Sequence, residues 1–308
     1  MTDVVCLGIL VADVIGRPVD ELPARGSLAL MEDVALRGGG CALNTATVLA
    51  RLGLDTAVAG KIGGDPFGDF LLALLDERGI ERSAVVRDPA VATSATIVLV
   101  GSDGERTFLH LPGANGVLSA GELDRDLLFG GRVLHVAGAL VMDGLDGEPF
   151  AELLSEAHRR GVLTSLDTVW DGSGRWDRVL PSLPHVDLFC PSLGEAQAIS
   201  GEETPEAAAG RLRELGARAV AVTLGADGCY ASGEGFDGSV PGFPVGAVDG
   251  TGAGDAFTAG LLFGRLAGWE LERAARFANA CGALATTAVG AVEGLPEGSE
   301  VVAPHAPA

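Results

Sequence analysis

Short runs of β-branched and other apolar residues alternate along the 308-residue chain with longer stretches of helical periodicity. The runs at 4–10, 56–60, 132–137, 163–167, 186–190 and 219–223 are apolar without strict alternation, the pattern of strands covered on both faces. Between them, helical stretches are predicted at 42–52, 67–78, 149–160, 205–215, 255–266 and 271–288. Gly53, Gly79, Gly161 and Gly216 each follow such a stretch, where a helix C-terminus favours a residue that tolerates positive φ. The alternation predicts an α/β fold: three α/β/α layers around a mainly parallel central sheet. Two segments, about 14–36 and 84–111, break it. The second carries a hairpin signature, 93–100 and 106–109 joined by a turn at Ser102, Asp103 and Gly104. Together they predict a small β-sheet inserted into a single domain spanning 1–308, covering the carboxyl ends of the main strands as a lid.

Composition narrows the function. With 47% hydrophobic and 20% charged residues, the chain can bury a large core, and 46 glycines imply many tight turns or close backbone approaches. The net charge of −21, with Lys61 the only lysine, argues against a nucleic-acid partner, whose phosphates need a basic face. Five scattered cysteines lacking any C-x-x-C pair indicate neither a disulfide framework nor a zinc site. No positive segment precedes the apolar residues 4–12, and Asp13 follows them, so they read as a strand and not as a signal peptide. No apolar stretch approaches the roughly 18 residues of a membrane span. A soluble, cytoplasmic protein without a membrane partner is expected.

The sharpest chemical signal is Asp249-Gly-Thr-Gly-Ala-Gly-Asp255, which opens an apolar helix. Small residues at a helix start leave backbone N–H groups free, and the positive end of the helix attracts a phosphate. A carboxylate there would repel that phosphate, so Asp255 suggests a general base for an attacking hydroxyl. In isolation it could equally be a helix cap above a glycine turn. The loop lacks the Gly-Lys-Ser/Thr end of a Walker A motif and the G-x-G-x-x-G spacing of a dinucleotide fold.

This segment resembles the C-terminal signature of the ribokinase-like (PfkB) carbohydrate kinases, D-T-T-G-A-G-D-x-F, departing at Gly250. By that resemblance the amides of Gly252, Ala253 and Gly254 form the anion hole for the γ-phosphoryl group, and Asp255 is the base. Asp249 and Thr251 would lie beside a monovalent cation site, K⁺, common but not universal in the family. Gly38-Gly-Gly-Cys-Ala-Leu-Asn44 through Gly53 resembles the N-terminal signature G-G-x-x-x-N-x-A-x-x-x-A-x-L-G, placing Gly39, Gly40 and Asn44 around a sugar. Asn44 can offer both a donor and an acceptor to hydroxyls. Asp13 sits where the family places an acid that binds substrate hydroxyls. Lys61-Ile-Gly-Gly-Asp-Pro-Phe-Gly68 is similar to the structural motif V-G-x-D-x-x-G. Pro191-Ser-Leu-Gly-Glu195 resembles P-N-x-x-E, in which Glu195 would organise Mg²⁺ through water, with Ser192 in place of Asn. Thr223-Leu-Gly225-Ala-Asp-Gly228 resembles the nucleotide loop T-x-G-x-x-G, and Asn279 lies in the helix that flanks adenine, where a solvated or capping role is the alternative.

The implied function is phosphoryl transfer from MgATP to a hydroxyl of a small sugar or sugar acid, with a homodimer clasped through the lid. The alternatives are a nucleoside kinase of the same family and a non-catalytic sugar or nucleotide sensor. Val11 and Cys41 stand where ribokinase-type sequences carry Asn and Lys, which argues against ribose. For a sugar acid, Arg37 and Arg106 are the candidate partners of the carboxylate.

Overall fold

The computed structural model describes residues 2–295, so the ends of the expected 1–308 domain lie outside the described residues. Thirteen strands follow in chain order: β1 Val4–Gly8, β2 Val11–Arg17, β3 Asp33–Gly39, β4 Thr56–Gly63, β5 Val85–Asp88, β6 Ala95–Val100 and β7 Arg106–Leu111. After them come β8 Val133–Ala139, β9 Leu163–Thr168, β10 Leu188–Phe189, β11 Val220–Thr223, β12 Gly228–Gly233 and β13 Phe236–Pro241, which completes the thirteen among the described residues. Nine of them form a large sheet in the order β13-β12-β11-β10-β9-β8-β1-β4-β5. It is parallel except at β12 and β13. Alternate residues of β1 enter opposite cores, Val4 and Cys6 on one face and Val5 and Leu7 on the other, which is why its pattern is continuous in apolar residues. The first core packs against helices Cys41–Arg51, Ala253–Leu266 and Leu271–Ala285, the second against Glu148–Arg159 and Pro205–Glu214.

The α/β class, the mainly parallel sheet and the separate small sheet agree with the sequence reading. Gly53, Gly79, Gly161 and Gly216 all take positive φ at the helix ends. Several details differ. Strand β5, read as part of the lid, pairs in parallel with β4 at the edge of the large sheet. The antiparallel β12–β13 pair was not foreseen, because apart from Tyr230 the strand Gly228–Gly233 is built of small residues with little strand propensity. The helix expected over 271–288 stops at Ala285.

The small sheet has the order β3-β2-β6-β7, with β6 and β7 forming the anticipated hairpin. Its strands begin at Val11, earlier than expected, so β3 runs directly through Gly38 and Gly39 into helix Cys41–Arg51. Asp65 anchors the lid root, accepting hydrogen bonds from Thr93 N (2.8 Å) and Thr93 Oγ1 (2.7 Å) while capping the helix Pro66–Glu77 through Gly68 N (2.9 Å). The buried Lys61 pairs with Asp88 (3.0 Å) and Glu122 (2.7 Å), which accounts structurally for the single lysine.

The turn from β3 into its helix requires glycine at residue 40. Its φ is 92°, and a Cβ there would stand 2.4 Å from the Ile9 carbonyl oxygen. Gly40→Ala is expected to lower stability by about 1–3 kcal/mol, read as a fall in the urea midpoint at unchanged slope.

Candidate active site

Two helices present their first turns to one another. Helix Cys41–Arg51 starts at Gly40, and helix Ala253–Leu266 starts at Gly252, itself in the left-handed region at φ 73°. The first polar residues of each meet: Asn44 Nδ2 donates to Asp255 Oδ2 at 2.8 Å. Both are almost enclosed, at 4% and 8% exposure. Burial pushes the Asp255 carboxyl up to about 6, against the opposing hydrogen bonds from Asn44 and Cys41. Asn44 Oδ1 is buried without a protein partner among the described residues. An orphaned acceptor in such a place calls for a ligand donor such as a hydroxyl.

Asp13, on β2, lies against Gly39, the residue before the glycine that opens helix Cys41–Arg51. A Cβ on Gly39 would fall 2.1 Å from Asp13 Oδ2, so the glycine makes room for the carboxylate itself. Burial raises Asp13 to about 6, moderated by a hydrogen bond from Thr96. In register beside it on the same face stand Arg37, Thr96 and His110.

The loop 249–254 separates two cavities. One, of about 740 Å³, is lined by Thr223, Gly225, Gly228, Asn279, Ala253 and Gly254 among others, so the residues read as a nucleotide loop converge with two of the three expected anion-hole residues. The first helical bond runs from Ala256 N to Gly252 O, so the amides ahead of it have no intrahelical acceptor. Ala253 N is weakly engaged by Gly250 O at 3.3 Å. Asn279 borders the cavity but is not solvated: it is buried, and its Nδ2 donates to the carbonyls of Val240 (2.9 Å) and Pro241 (3.1 Å). The second cavity, of about 850 Å³, lies under the lid and includes Asp13, Arg37, Arg106, Asp249 and Thr251.

Ser192 and Glu195 stand outside the lining of either cavity and form a capping box. Ser192 N donates to Glu195 Oε2 (2.8 Å), and Glu195 N donates to Ser192 Oγ (3.4 Å). Ser192 bridges to Thr223, which brings the capping box alongside the nucleotide loop. Burial raises the Glu195 carboxyl despite the Ser192 hydrogen bonds. A residue the sequence reading missed joins this group. Asp167, at the carboxyl end of β9, is buried, and its carboxyl is pushed well up by burial and then by the charges of Asp255 and Glu195. Its position at the end of a central parallel strand was the available signal.

Asp249 and Thr251 meet Arg106 of the lid. Arg106 Nη2 pairs with Asp249 Oδ1 at 2.6 Å, and Arg106 Nη1 donates to Thr251 Oγ1. Arg106 is therefore engaged by a protein carboxylate, unlike the free partner a sugar acid would need. Burial would raise Asp249, but the Thr251 hydroxyl and amide, the Gly290 amide and Arg106 hold it below the ordinary carboxylate value.

The raised pKa of Asp255 carries a stability cost at neutral pH. The native state binds a proton between pH about 6 and 3.8 that the unfolded state releases, so this group's contribution rises as pH falls through that window and is unfavourable above it. Asp255→Asn is expected to stabilise the protein at pH 8 by up to about 3 kcal/mol, with the gain shrinking toward pH 4. Urea unfolding at both pH values checks this; a variant no more stable than wild type at pH 8 would refute it.

Residues 1–298 match the family model described as pfkB family carbohydrate kinase. Fructokinase-1 of Zea mays is 31% identical over 303 residues, covering 92% of this chain and 94% of that protein. A PfkB protein of Polaromonas sp. JS666 superposes with a TM-score of 0.81 at 28% identity, covering 98% of this chain and 100% of that one. A protein from E. coli assigned as a ribokinase II, solved in complex with ATP and Mg²⁺, superposes at a TM-score of 0.85 and 25% identity, covering 98% of both chains. The chain belongs to the PfkB family of carbohydrate kinases.

Proposed function

We infer that this protein is an ATP-dependent sugar kinase that transfers the γ-phosphoryl group to a hydroxyl of a neutral sugar, with a ketohexose such as fructose the first candidate. The observation that carries the reading is the buried Asp255–Asn44 contact at the end of a glycine loop that separates two cavities. ATP would occupy the 740 Å³ cavity with its terminal phosphate against the amides of 252–254, and the sugar would lie under the lid. Asp255, held by Asn44, takes the hydroxyl proton; a carboxyl raised to about 6 is a stronger base than an exposed one and stays ionised at neutral pH. Asp13 and Asn44 Oδ1 hold sugar hydroxyls, and the lid keeps water out. Asp167 and Glu195 are suited to meet Mg²⁺ through water, and the ion when bound neutralises charge on the phosphates.

The fructokinase relatives support a sugar, and the cleft supports a neutral one. Its lining carries three arginines against four carboxylates, Asp13, Glu32, Asp33 and Asp249. Arg17 is paired with Asp33 and Arg106 with Asp249. A nucleoside acceptor is less well served, because Phe108 is the one aromatic ring among the described residues that line it. A sensor would have no use for a buried base.

A homodimer through the lid is supported by the sheet's outer face. Leu36, Val14, Ile97 and Leu109 fall in one cross-strand row on the side away from Asp13, and Val34, Ile97, Leu109 and Leu111 are exposed. A second copy covering this face would remove that apolar surface from water.

With MgATP and fructose, Asp255→Asn is expected to lose about 10²- to 10⁴-fold in kcat, and wild-type kcat/KM should fall below pH about 6 as Asp255 protonates. Equal turnover by both proteins would sink the assignment of the base. Ribose and 2-keto-3-deoxygluconate should be poorer acceptors in the same assay. Light scattering should show a dimer that Ile97→Glu dissociates; a wild-type monomer would remove the dimer.

A further inference from the structure

We propose that Arg106 is a positioning residue that supplies, from the lid, the positive charge seating the loop 249–251, so that the anion hole following this loop is ordered when the lid is closed.

Arg106 opens β7, on the same face of the lid as Phe108 and Asp13. Its guanidinium reaches across the cleft to Asp249 and Thr251. Asp249 already accepts from Thr251 N (2.8 Å), Thr251 Oγ1 (2.7 Å) and Gly290 N (3.0 Å). The Thr251 hydroxyl thus donates to Asp249 and accepts from Arg106. On its other side the loop is tied to the body of the protein: Val248 N (2.7 Å) and Asp249 N (3.1 Å) both donate to Thr286 O, and a Cβ on Gly252 would meet Ala291 O at 2.2 Å. The loop is therefore clamped between the segment 286–291, which does not depend on the lid, and a single lid side chain, which does. Gly252, Ala253 and Gly254 follow immediately in sequence.

The arrangement also bears on the cation. With its two oxygens engaged by four donors, one of them a guanidinium, Asp249 is neutralised from within the chain. K⁺ beside Asp249 and Thr251 does not fit this arrangement. The charge comes from a residue that moves with the lid, so the loop takes its final shape when the sugar side is covered. The pair is also better shielded than a surface salt bridge, with the Asp249 side chain 7% exposed.

The test compares wild type, Arg106→Gln and Arg106→Lys. In the Gln variant kcat should fall roughly 10- to 100-fold, as expected from a small displacement of reacting groups, with KM for fructose unchanged. Arg106→Lys, or K⁺ added to the Gln variant, should restore part of the loss, while wild-type turnover should be indifferent to K⁺. Hydrogen exchange at the amides of 249–254 should be faster in Arg106→Gln than in wild type without any ligand. A Gln variant with wild-type kcat and exchange, a wild type that needs K⁺, or a loss confined to KM for the sugar would each overturn the proposal. So would a loss that neither lysine nor K⁺ relieves. The proposal rests on the kinase reading, and the two fail separately: absence of wild-type turnover defeats that reading, while the exchange comparison still decides the clamp.

Discussion

One buried hydrogen bond, from Asn44 to the carboxylate of Asp255, is the constraint around which the rest of the site is arranged. A carboxylate with 8% exposure is expensive to hold ionised, and the protein offsets that cost with the positive end of a helix, the Asn44 amide and the Cys41 thiol. Both donors come from the other end of the chain. To bring the two together, β3 and the loop 249–252 must each enter a helix through a left-handed glycine, Gly40 in one case and Gly252 in the other. Both glycines are packed against backbone, at Ile9 O and Ala291 O, where no larger residue fits. The two signature segments are thus one structural device used twice: a glycine turn that aims the first turn of a helix at a shared point.

This explains why so much could be read from the sequence. A requirement for positive φ or close backbone contact is written directly as glycine, so the segments around Gly40 and Gly252 and the helix ends at Gly53, Gly79, Gly161 and Gly216 stood out. Strands buried on both faces were visible as unbroken apolar runs. What stayed hidden depends on contacts distant in sequence. Asp167 looks like any strand-end acid until the fold sets it near Asp255 and Glu195. The Arg106–Asp249 pair joins the small sheet to the loop 249–251 across the cleft, and Arg106 alone looks like a candidate for the substrate. Strand β5 was assigned to the wrong sheet because Val85–Asp88 has no pattern that distinguishes an edge of one sheet from the other.

The lid derives two functions from the period-2 geometry of its strands. Residues 13, 37, 96 and 110 form one row facing the cleft, while residues 14, 36, 97 and 109 form the next row on the opposite face. The row facing the cleft is polar, with Ile15, Val98 and Phe108 beside it on the same face, and the row on the opposite face is apolar. A one-residue slip in register would exchange them. The register is held on the body side by Asp65, which fixes Thr93 at the lid root, and on the cleft side by Arg106.

The electrostatics of the site then favour a particular order of events. A chain with net charge −21 must admit a polyanion to a place already holding Asp255, Asp167 and Glu195, all buried and all with raised carboxyl pKa values. Among the described residues, no basic side chain lines the 740 Å³ cavity. Attraction for the phosphates must come from backbone amides and the helix end, which act over short range, and from the divalent ion that accompanies ATP. Such a site is unfavourable for its own carboxylates when empty. Binding of a metal-complexed nucleotide would supply the positive charge they lack, while the guanidinium of Arg106 stands at Asp249, in the loop that leads into the helix Ala253–Leu266. Because Arg106 is paired with Asp249, the positive charge that favours ionised Asp255 has to come from the helix end and from the divalent ion that accompanies ATP.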